Sequence, residues 1–310
     1  MRLIAFVHKN RANGESPCAG ALLSKGRVLD FGEALGDAPA DFLQWLDLDG
    51  PWLGRVRDLV PKADAGDGGT GVLPLSEARL VAPVPSPPKV ICIGLNYRDH
   101  AIESKAEIPK SPIAFSKFGT SIVGPGDAIV LPRSSRKVDY EAEMAVVIGR
   151  KAKHVEAAKA MDHVLGYANF HDVSARDFQF ADGQWQRGKS CDTFGPLGPA
   201  VVTADEVPDP HALRIRFRLN GVTLQDSTTA QLIFRVPELI AFLSDSITLL
   251  PGDVIATGTP PGVGFARNPP IYMKDGDTAE VEVEGLGVLT NPVKASAQDV
   301  RGEEARSSRA

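Results

Sequence analysis

The chain has 310 residues, 43% hydrophobic and 24% charged, with a formal net charge of −5. That is enough apolar material for a large core, and the mildly acidic balance excludes a general attraction for nucleic acid or an anionic membrane surface. Thirty glycines and 24 prolines predict many turns and short strands and exclude a helical bundle.

Three scattered cysteines, Cys18, Cys92 and Cys191, have no C-x-x-C spacing. They read as reduced thiols and argue against a disulfide framework or a cysteine zinc site. The apolar start Leu3 to Val7 turns polar at His8-Lys9-Asn10, too short for a signal peptide, and no apolar run approaches a membrane span. A cytoplasmic protein is expected.

Residues 1–80 read as a small N-terminal domain: a strand at Leu3–Val7, a hairpin through Ala21–Leu23 and Arg27–Leu29, a helix from Pro39 to Leu46, and a glycine-rich exposed loop from Ala63 to Gly71. The proline-dense segment 81–89 predicts an extended linker. A second unit, 90–294, opens on Lys89-Val90-Ile91-Cys92-Ile93-Gly94, a buried strand by its continuous apolar run. It delivers Asn96 to Glu103, where His100 and Glu103 share a face if the segment is helical, and a carboxylate beside an imidazole raises its basicity. Residues Ser104 to Pro112 suit a lid, and Pro112 to Val130 a meander of short strands.

Tyr140 to Gly149 reads as a core strand with two carboxylates where none belongs. Period-two alternation sets Glu141 and Glu143 on one face with Ala145 and Val147, and Ala142, Met144, Val146 and Ile148 on the other. Two like charges about 7 Å apart repel and are costly to bury. A bound cation would compensate them, as would Arg133, Arg136 or Lys137, or an edge position in solvent. A helix from Val155 to Met161 and a strand from Val164 to Phe170 follow, and Asp172 sits where that strand hands over to a helix that Ser174 can cap. Asp172 supplies a third hard oxygen donor, and three carboxylates suit Mg²⁺ or Mn²⁺. Gly183 to Pro199 reads as an irregular display loop carrying Lys189, able to meet an anion. Leu213 to Leu219 is a period-two strand with an arginine face, and Asn220-Gly221 a hairpin turn. A helix over Gln231–Leu243, a strand at Val254–Thr257, a glycine-rich loop around Thr259 and a hairpin over Thr278–Leu289 follow. That loop lacks the spacing of a nucleotide site. Residues 295–310 read as a disordered tail.

Five pieces in fixed order, Gly-Leu-Asn-Tyr-x-x-His-x-x-Glu, Asp-Tyr-Glu-x-Glu, Asp-Val-Ser-Ala-Arg-Asp, Gly-Lys-Ser-x-Asp-Thr-Phe-x-Pro-Leu-Gly-Pro and Thr-Gly-Thr-Pro-Pro-Gly-Val-Gly, resemble the fumarylacetoacetate hydrolase family, in its shorter domain-containing branch. The resemblance covers roughly residues 90 to 293. It implies an α+β, mostly β fold, a mixed β-roll catalytic domain, in a homodimer holding one Mg²⁺ or Mn²⁺ per chain. By that resemblance Glu141, Glu143 and Asp172 are the metal ligands, His100 with Glu103 is the general base and Lys189 stands beside the substrate. Arg176, Gln179 and Thr259 are substrate contacts. The expected reaction is metal-dependent hydrolysis of a C–C bond in a small β-diketo acid. The alternatives are an oxaloacetate tautomerase or decarboxylase on the same parts, and a non-catalytic small-acid binding protein.

Overall fold

The structure, a computed structural model, describes residues 1–10, 16–66 and 69–296. It is an α+β fold dominated by strands. In spatial order the main sheet runs Val72–Pro74, Arg27–Asp30, Cys18–Leu23, Arg2–His8, Gly195–Thr203, Val164–His171, Ala142–Ile148, Val254–Ala256, Val90–Gly94 and Ile113–Lys117. Ala78–Val81 pairs with Arg2–His8, and Ile122–Val123 joins Gly195–Thr203. A five-stranded sheet, Val222–Thr228, Arg214–Leu219, Thr278–Val283, Val288–Ala295 and Ile129–Leu131, packs nearby, and Val138–Asp139 pairs with Ser174–Ala175.

All seven residues of Ala142–Ile148 are buried. Met144, Val146 and Ile148 enter a core with Tyr140, Tyr167 and Phe217, whereas Ala145 and Val147 enter a second core with Leu3, Trp45 and Leu165. A strand paired on both sides and buried on both faces is not an edge strand, which removes the edge-strand possibility. The second core takes side chains from both sides of residues 81–89, and Leu3 pairs with Val201, so the main sheet is continuous from the N-terminal strands into the rest.

Several expected elements differ. The helix expected over Pro39–Leu46 is a single 3₁₀ segment, Phe42–Leu46, capped by the Asp41 carboxylate. Two helices follow, Pro51–Arg57 and Leu59–Ala65. Pro51 pre-sets the first turn of one of them, and the other takes up the start of the loop expected from Ala63. Gln231–Leu243 is not one helix: a 3₁₀ turn, Thr229–Gln231, precedes Val236–Ser246, whose first turn holds Pro237. Proline starts a helix readily but disfavours helical backbone in the residue before it. The helix expected from Val155 is a 3₁₀ segment, Ala157–His163. Residues 67–68 of the expected loop and 297–310 of the expected tail lie outside the described residues. Asn220 and Gly221 both have positive φ, 52° and 77°, the turn geometry expected of that hairpin. The arginine face beside it is committed, Arg214 to Asp226, Arg216 to Glu282 and Arg218 to Glu280.

Candidate metal centre and active site

Ala142 pairs with His171, so the strands carrying Glu141 and Asp172 end together, and the Asp172 N–H donates to the Glu141 carbonyl at 3.0 Å. On the other flank Ala145 pairs with Ala256. That register brings the Gly258 N–H to Glu143 Oε2 at 2.8 Å. Gly258 has φ +104°, and a Cβ there would lie 2.8 Å from that of Asn96, so this close backbone approach requires glycine. Thr259 Oγ1 donates to the Ala142 carbonyl at 3.0 Å and accepts from Gln225 Nε2 at 2.9 Å.

Asp172 does not stand beside a Ser174 cap: Ser174 Oγ donates to the Asp172 carbonyl, and the helix Arg176–Ala181 begins after Ala175 without a side-chain cap. Nor is Gly183 to Pro199 an irregular display loop. It holds a short helix, Gln186–Lys189, and the start of the Gly195–Thr203 strand. Gly188 packs this helix onto its neighbour, since a Cβ would lie 2.7 Å from the Gln179 nitrogen. Lys189, 2% exposed, is thereby driven inward, its Nζ 2.8 Å from both Glu141 Oε2 and Asp172 Oδ2.

Eight of the nine expected site residues, His100, Glu141, Glu143, Asp172, Arg176, Gln179, Lys189 and Thr259, line one cavity of about 250 Å³. Glu103 stands behind His100. In the helix Arg98–Glu103, His100 Nδ1 and Glu103 Oε2 are 3.1 Å apart, and Glu103 is anchored by the Gly262 N–H at 2.9 Å. Burial raises the Glu103 pKa, but the His100 and Gly262 hydrogen bonds more than offset this and leave it below the usual value. With Nδ1 so engaged, Nε2 is the ring nitrogen left to accept a proton. Ser104, the first residue of the expected lid, and Ile113, just beyond its end, also line the cavity.

Lys117, which the sequence reading missed, is buried with Nζ 2.5 Å from Asp172 Oδ1 and 3.1 Å from the Val173 carbonyl. It ends an edge strand, opposite Val90. Gln225, which holds Thr259 and the Ala142 N–H, and Asp139 were missed as well. Arg176 donates to Asp139 at 2.8 Å, Gln179 at 2.9 Å and Glu141 at 2.6 Å. The partners of Glu141 are therefore Arg176 and Lys189, in place of Arg133, Arg136 or Lys137.

Four buried carboxylates, Asp139, Glu141, Glu143 and Asp172, face three cations, Lys117, Arg176 and Lys189. Burial pushes Glu141 up, but the charges of Lys189 and Arg176 outweigh it and bring the pKa down to about 2. Glu143 goes the other way: burial, then the charges of Asp172 and Glu141, raise it well above the ordinary value. Lys189 is disfavoured by burial, yet Asp172 and Glu141 raise its pKa and keep it charged. Burial and the Lys117 charge lower the His171 pKa to about 3, so that ring adds no fourth cation. With all four carboxylates ionised, one negative charge would be left over, on Glu143.

That surplus is the test of fit for a metal. Oxygens of Glu141, Glu143 and Asp172 lie within 4.8 Å of one another. The set is all hard oxygen, and its one unpaired carboxylate is disfavoured as an anion until a cation arrives, so it can hold a divalent ion of the Mg²⁺ or Mn²⁺ type. Among the described residues no helix is long and apolar enough to cross a membrane.

The family described as "Fumarylacetoacetate (FAA) hydrolase C-terminal" matches residues 89–294. The rat protein named oxaloacetate tautomerase Fahd2a, mitochondrial, is 53% identical over 223 residues, 72% of this chain and 71% of that protein. The Xenopus laevis oxaloacetate tautomerase fahd2, mitochondrial, is 44% identical over 296 residues, 94% of this chain and 90% of that protein. Among solved structures, the fumarylacetoacetate hydrolase of Exiguobacterium antarcticum superposes with a TM-score of 0.78 at 34% identity, covering 96% of this chain and 100% of that one. The chain belongs to the fumarylacetoacetate hydrolase family and is an enzyme of that family.

Proposed function

We propose that the enzyme interconverts the keto and enol forms of a small 2-oxo dicarboxylic acid of the oxaloacetate type, with Mg²⁺ or Mn²⁺ held by Glu141, Glu143 and Asp172. The observation that carries this reading over C–C hydrolysis is the similarity to two proteins named oxaloacetate tautomerases, one of them along 94% of the chain. A cavity of about 250 Å³ suits a small acid.

A divalent ion held by Glu141, Glu143 and Asp172 would supply the positive charge that acidifies a C–H next to a carbonyl. His100 Nε2, its ring fixed through Nδ1 by Glu103, takes the proton from the carbon next to the carbonyl. The C–H electron pair becomes the C=C bond and the carbonyl π pair moves onto oxygen. Lys189, kept charged by its carboxylate neighbours, faces the developing oxyanion. Return of the proton from the His100 imidazolium to that oxygen completes the enol without net change in protons. Arg176 orients Gln179 by donating to its amide oxygen, which leaves the Gln179 NH₂ to hold the remote carboxylate.

Hydrolysis remains the second reading, because a water placed at His100 would convert the same parts to C–C cleavage and the Exiguobacterium neighbour is named a hydrolase. Decarboxylation of the same acid is a third outcome. We place the enzyme in a reducing compartment, the cytoplasm by its scattered cysteines or the mitochondrion by the names of its relatives, and expect a homodimer. The test is a panel of oxaloacetate and acylpyruvates with each metal, followed by the ultraviolet absorbance of the enol and by product mass. Enolisation of oxaloacetate without mass change supports the reading. Cleavage of an acylpyruvate with oxaloacetate enolisation at background replaces it by hydrolysis, pyruvate formation by decarboxylation, and metal-dependent binding without turnover by a binding protein.

A further inference from the structure

A second cluster of metal-ligating side chains lies on the N-terminal strands. His8 ends Arg2–His8, Cys18 begins the neighbouring Cys18–Leu23, and Asp30 ends Arg27–Asp30. The registers Phe6 to Cys18 and Gly20 to Asp30 carry the three side chains to one end of the sheet. A ring nitrogen of His8, the Cys18 sulfur and an Asp30 oxygen lie within 4.8 Å of one another. Asp30 is 3% exposed and divides its oxygens: Oδ1 accepts the Glu33 N–H at 3.1 Å and caps the following helix, while Oδ2 meets His8 Nε2 at 2.9 Å. His8 and Cys18 are half-buried.

The cluster borders a cavity of about 530 Å³ lined by Cys18 and Asp30, with Asp41, Phe42, Trp45 and Ser86 among its other walls. Nothing in the chemistry proposed for the Glu141 centre uses it. One soft sulfur, one imidazole and one carboxylate on three hydrogen-bonded strands are the donor types of a three-ligand zinc site with one position open. Ligands around such an ion stand about 3.5 Å apart, within reach of small side-chain adjustments from the separations here.

We propose that His8, Cys18 and Asp30 form a second metal site, selective for a Zn²⁺-class ion, with its open coordination position facing the 530 Å³ cavity. Binding exchanges the His8–Asp30 hydrogen bond for two metal bonds and releases the Cys18 thiol proton as the thiolate forms. The Oδ1 bond to the helix orients the ligating carboxylate from behind. Sequence spacing gave no sign of a cysteine zinc site because the donors lie on three separate strands. The chain then sorts its metals by softness: a hard ion on the three carboxylates at Glu141, a borderline ion on sulfur and nitrogen here.

Co²⁺ is the probe, added to the full-length, metal-stripped enzyme. A sulfur-to-cobalt charge-transfer band that saturates at one equivalent, is quenched by Zn²⁺ and is untouched by Mg²⁺ is the expected result. Glu141→Gln and Cys191→Ser keep the band. Cys18→Ser abolishes it, and His8→Asn weakens Co²⁺ binding by at least about ten-fold, since loss even of a ligand's hydrogen-bond partner costs that much. Protection of Cys18 from alkylation by Zn²⁺ but not Mg²⁺, mapped by peptide mass on the unsubstituted enzyme, reads the same site without depending on any variant's folding. Absence of the band, its survival in Cys18→Ser, or alkylation of Cys18 unchanged by Zn²⁺ overturns the proposal.

Discussion

Replacing Glu143 by glutamine separates the two states of the centre. Without metal, Lys117, Arg176 and Lys189 match Asp139, Glu141 and Asp172, while burial and the charges of Asp172 and Glu141 favour the neutral acid form of Glu143, 1% exposed. Glutamine is a neutral isostere of that acid and accepts the Gly258 N–H equally well, so Glu143→Gln changes metal-free stability by less than about 1 kcal/mol. Glu141→Gln instead removes the partner of two buried cations and costs about 3–5 kcal/mol. With metal Glu143→Gln is no longer near-silent. At a hundred times its dissociation constant a bound ion adds about 2.7 kcal/mol to the wild type, and Glu143→Gln forfeits most of that because the ion loses an anionic ligand. Urea unfolding of both variants with and without Mn²⁺, followed by circular dichroism, reads all four numbers. A metal-free Glu143→Gln protein destabilised by 3 kcal/mol or more, or one that keeps the full Mn²⁺ increment, refutes the assignment of Glu143 as the uncompensated ligand.

Because the Glu143 proton must leave when metal binds, metal affinity rises with pH by up to about ten-fold per unit and levels off above the raised Glu143 value; isothermal titration across pH reads the slope, and Glu143→Gln flattens it. The stability signs follow. Glu143, with its folded pKa raised, contributes fully below its unfolded value near 4.5 and loses that contribution as pH climbs through the folded value. Glu141, depressed to about 2, contributes above 4.5 and loses it as pH falls toward 2. Metal-free Glu143→Gln therefore gains on the wild type as pH rises, in urea titrations at stepped pH. Lys117→Met unpairs Asp172 Oδ1 and costs about 3–5 kcal/mol without metal, a loss that saturating Mn²⁺ partly restores in the same assay. Glu103→Gln leaves His100 unoriented and lowers kcat more than KM, by about 10².

Part of this centre is legible in the chain because it is local. Glu141 and Glu143 share a face by strand alternation, and His100 and Glu103 meet through one helical turn. Asp172 stood out by its place at a strand end and its oxygen donor, but the pairing of the 140–149 and 164–170 strands that brings it to Glu141 is visible only in the structure. Lys117 was not legible: it lies 55 residues before Asp172, on an edge strand whose pairing alone turns it inward, and a lone lysine in a meander carries no mark of burial. Lys189 was picked out but set in a display loop, whereas tight packing at Gly188 makes it part of the buried charge balance. Ser174 had the residue type of a cap, but the helix starts one residue later and the hydroxyl turns back to the Asp172 carbonyl. In the first 80 residues pattern marked the strands near Leu3–Val7, Ala21–Leu23 and Arg27–Leu29 but not Val72–Pro74 or Ala78–Val81, which are short and held by pairing to distant strands. Pro51–Arg57 and Leu59–Ala65 are helices short enough that burial of Leu53 and Val56 against the second core, more than propensity, holds the first of them.

The central claim is that His100 removes a proton from the carbon beside the carbonyl, and hydrogen exchange at that carbon tests it most directly. In D₂O with Mn²⁺, the enzyme should wash deuterium into the methylene of oxaloacetate well above the uncatalysed rate, read by NMR, and His100→Asn should reduce the enzymatic part by about 10²–10⁴ while Mn²⁺ still raises the unfolding midpoint. Exchange at the wild-type rate in His100→Asn would contradict it.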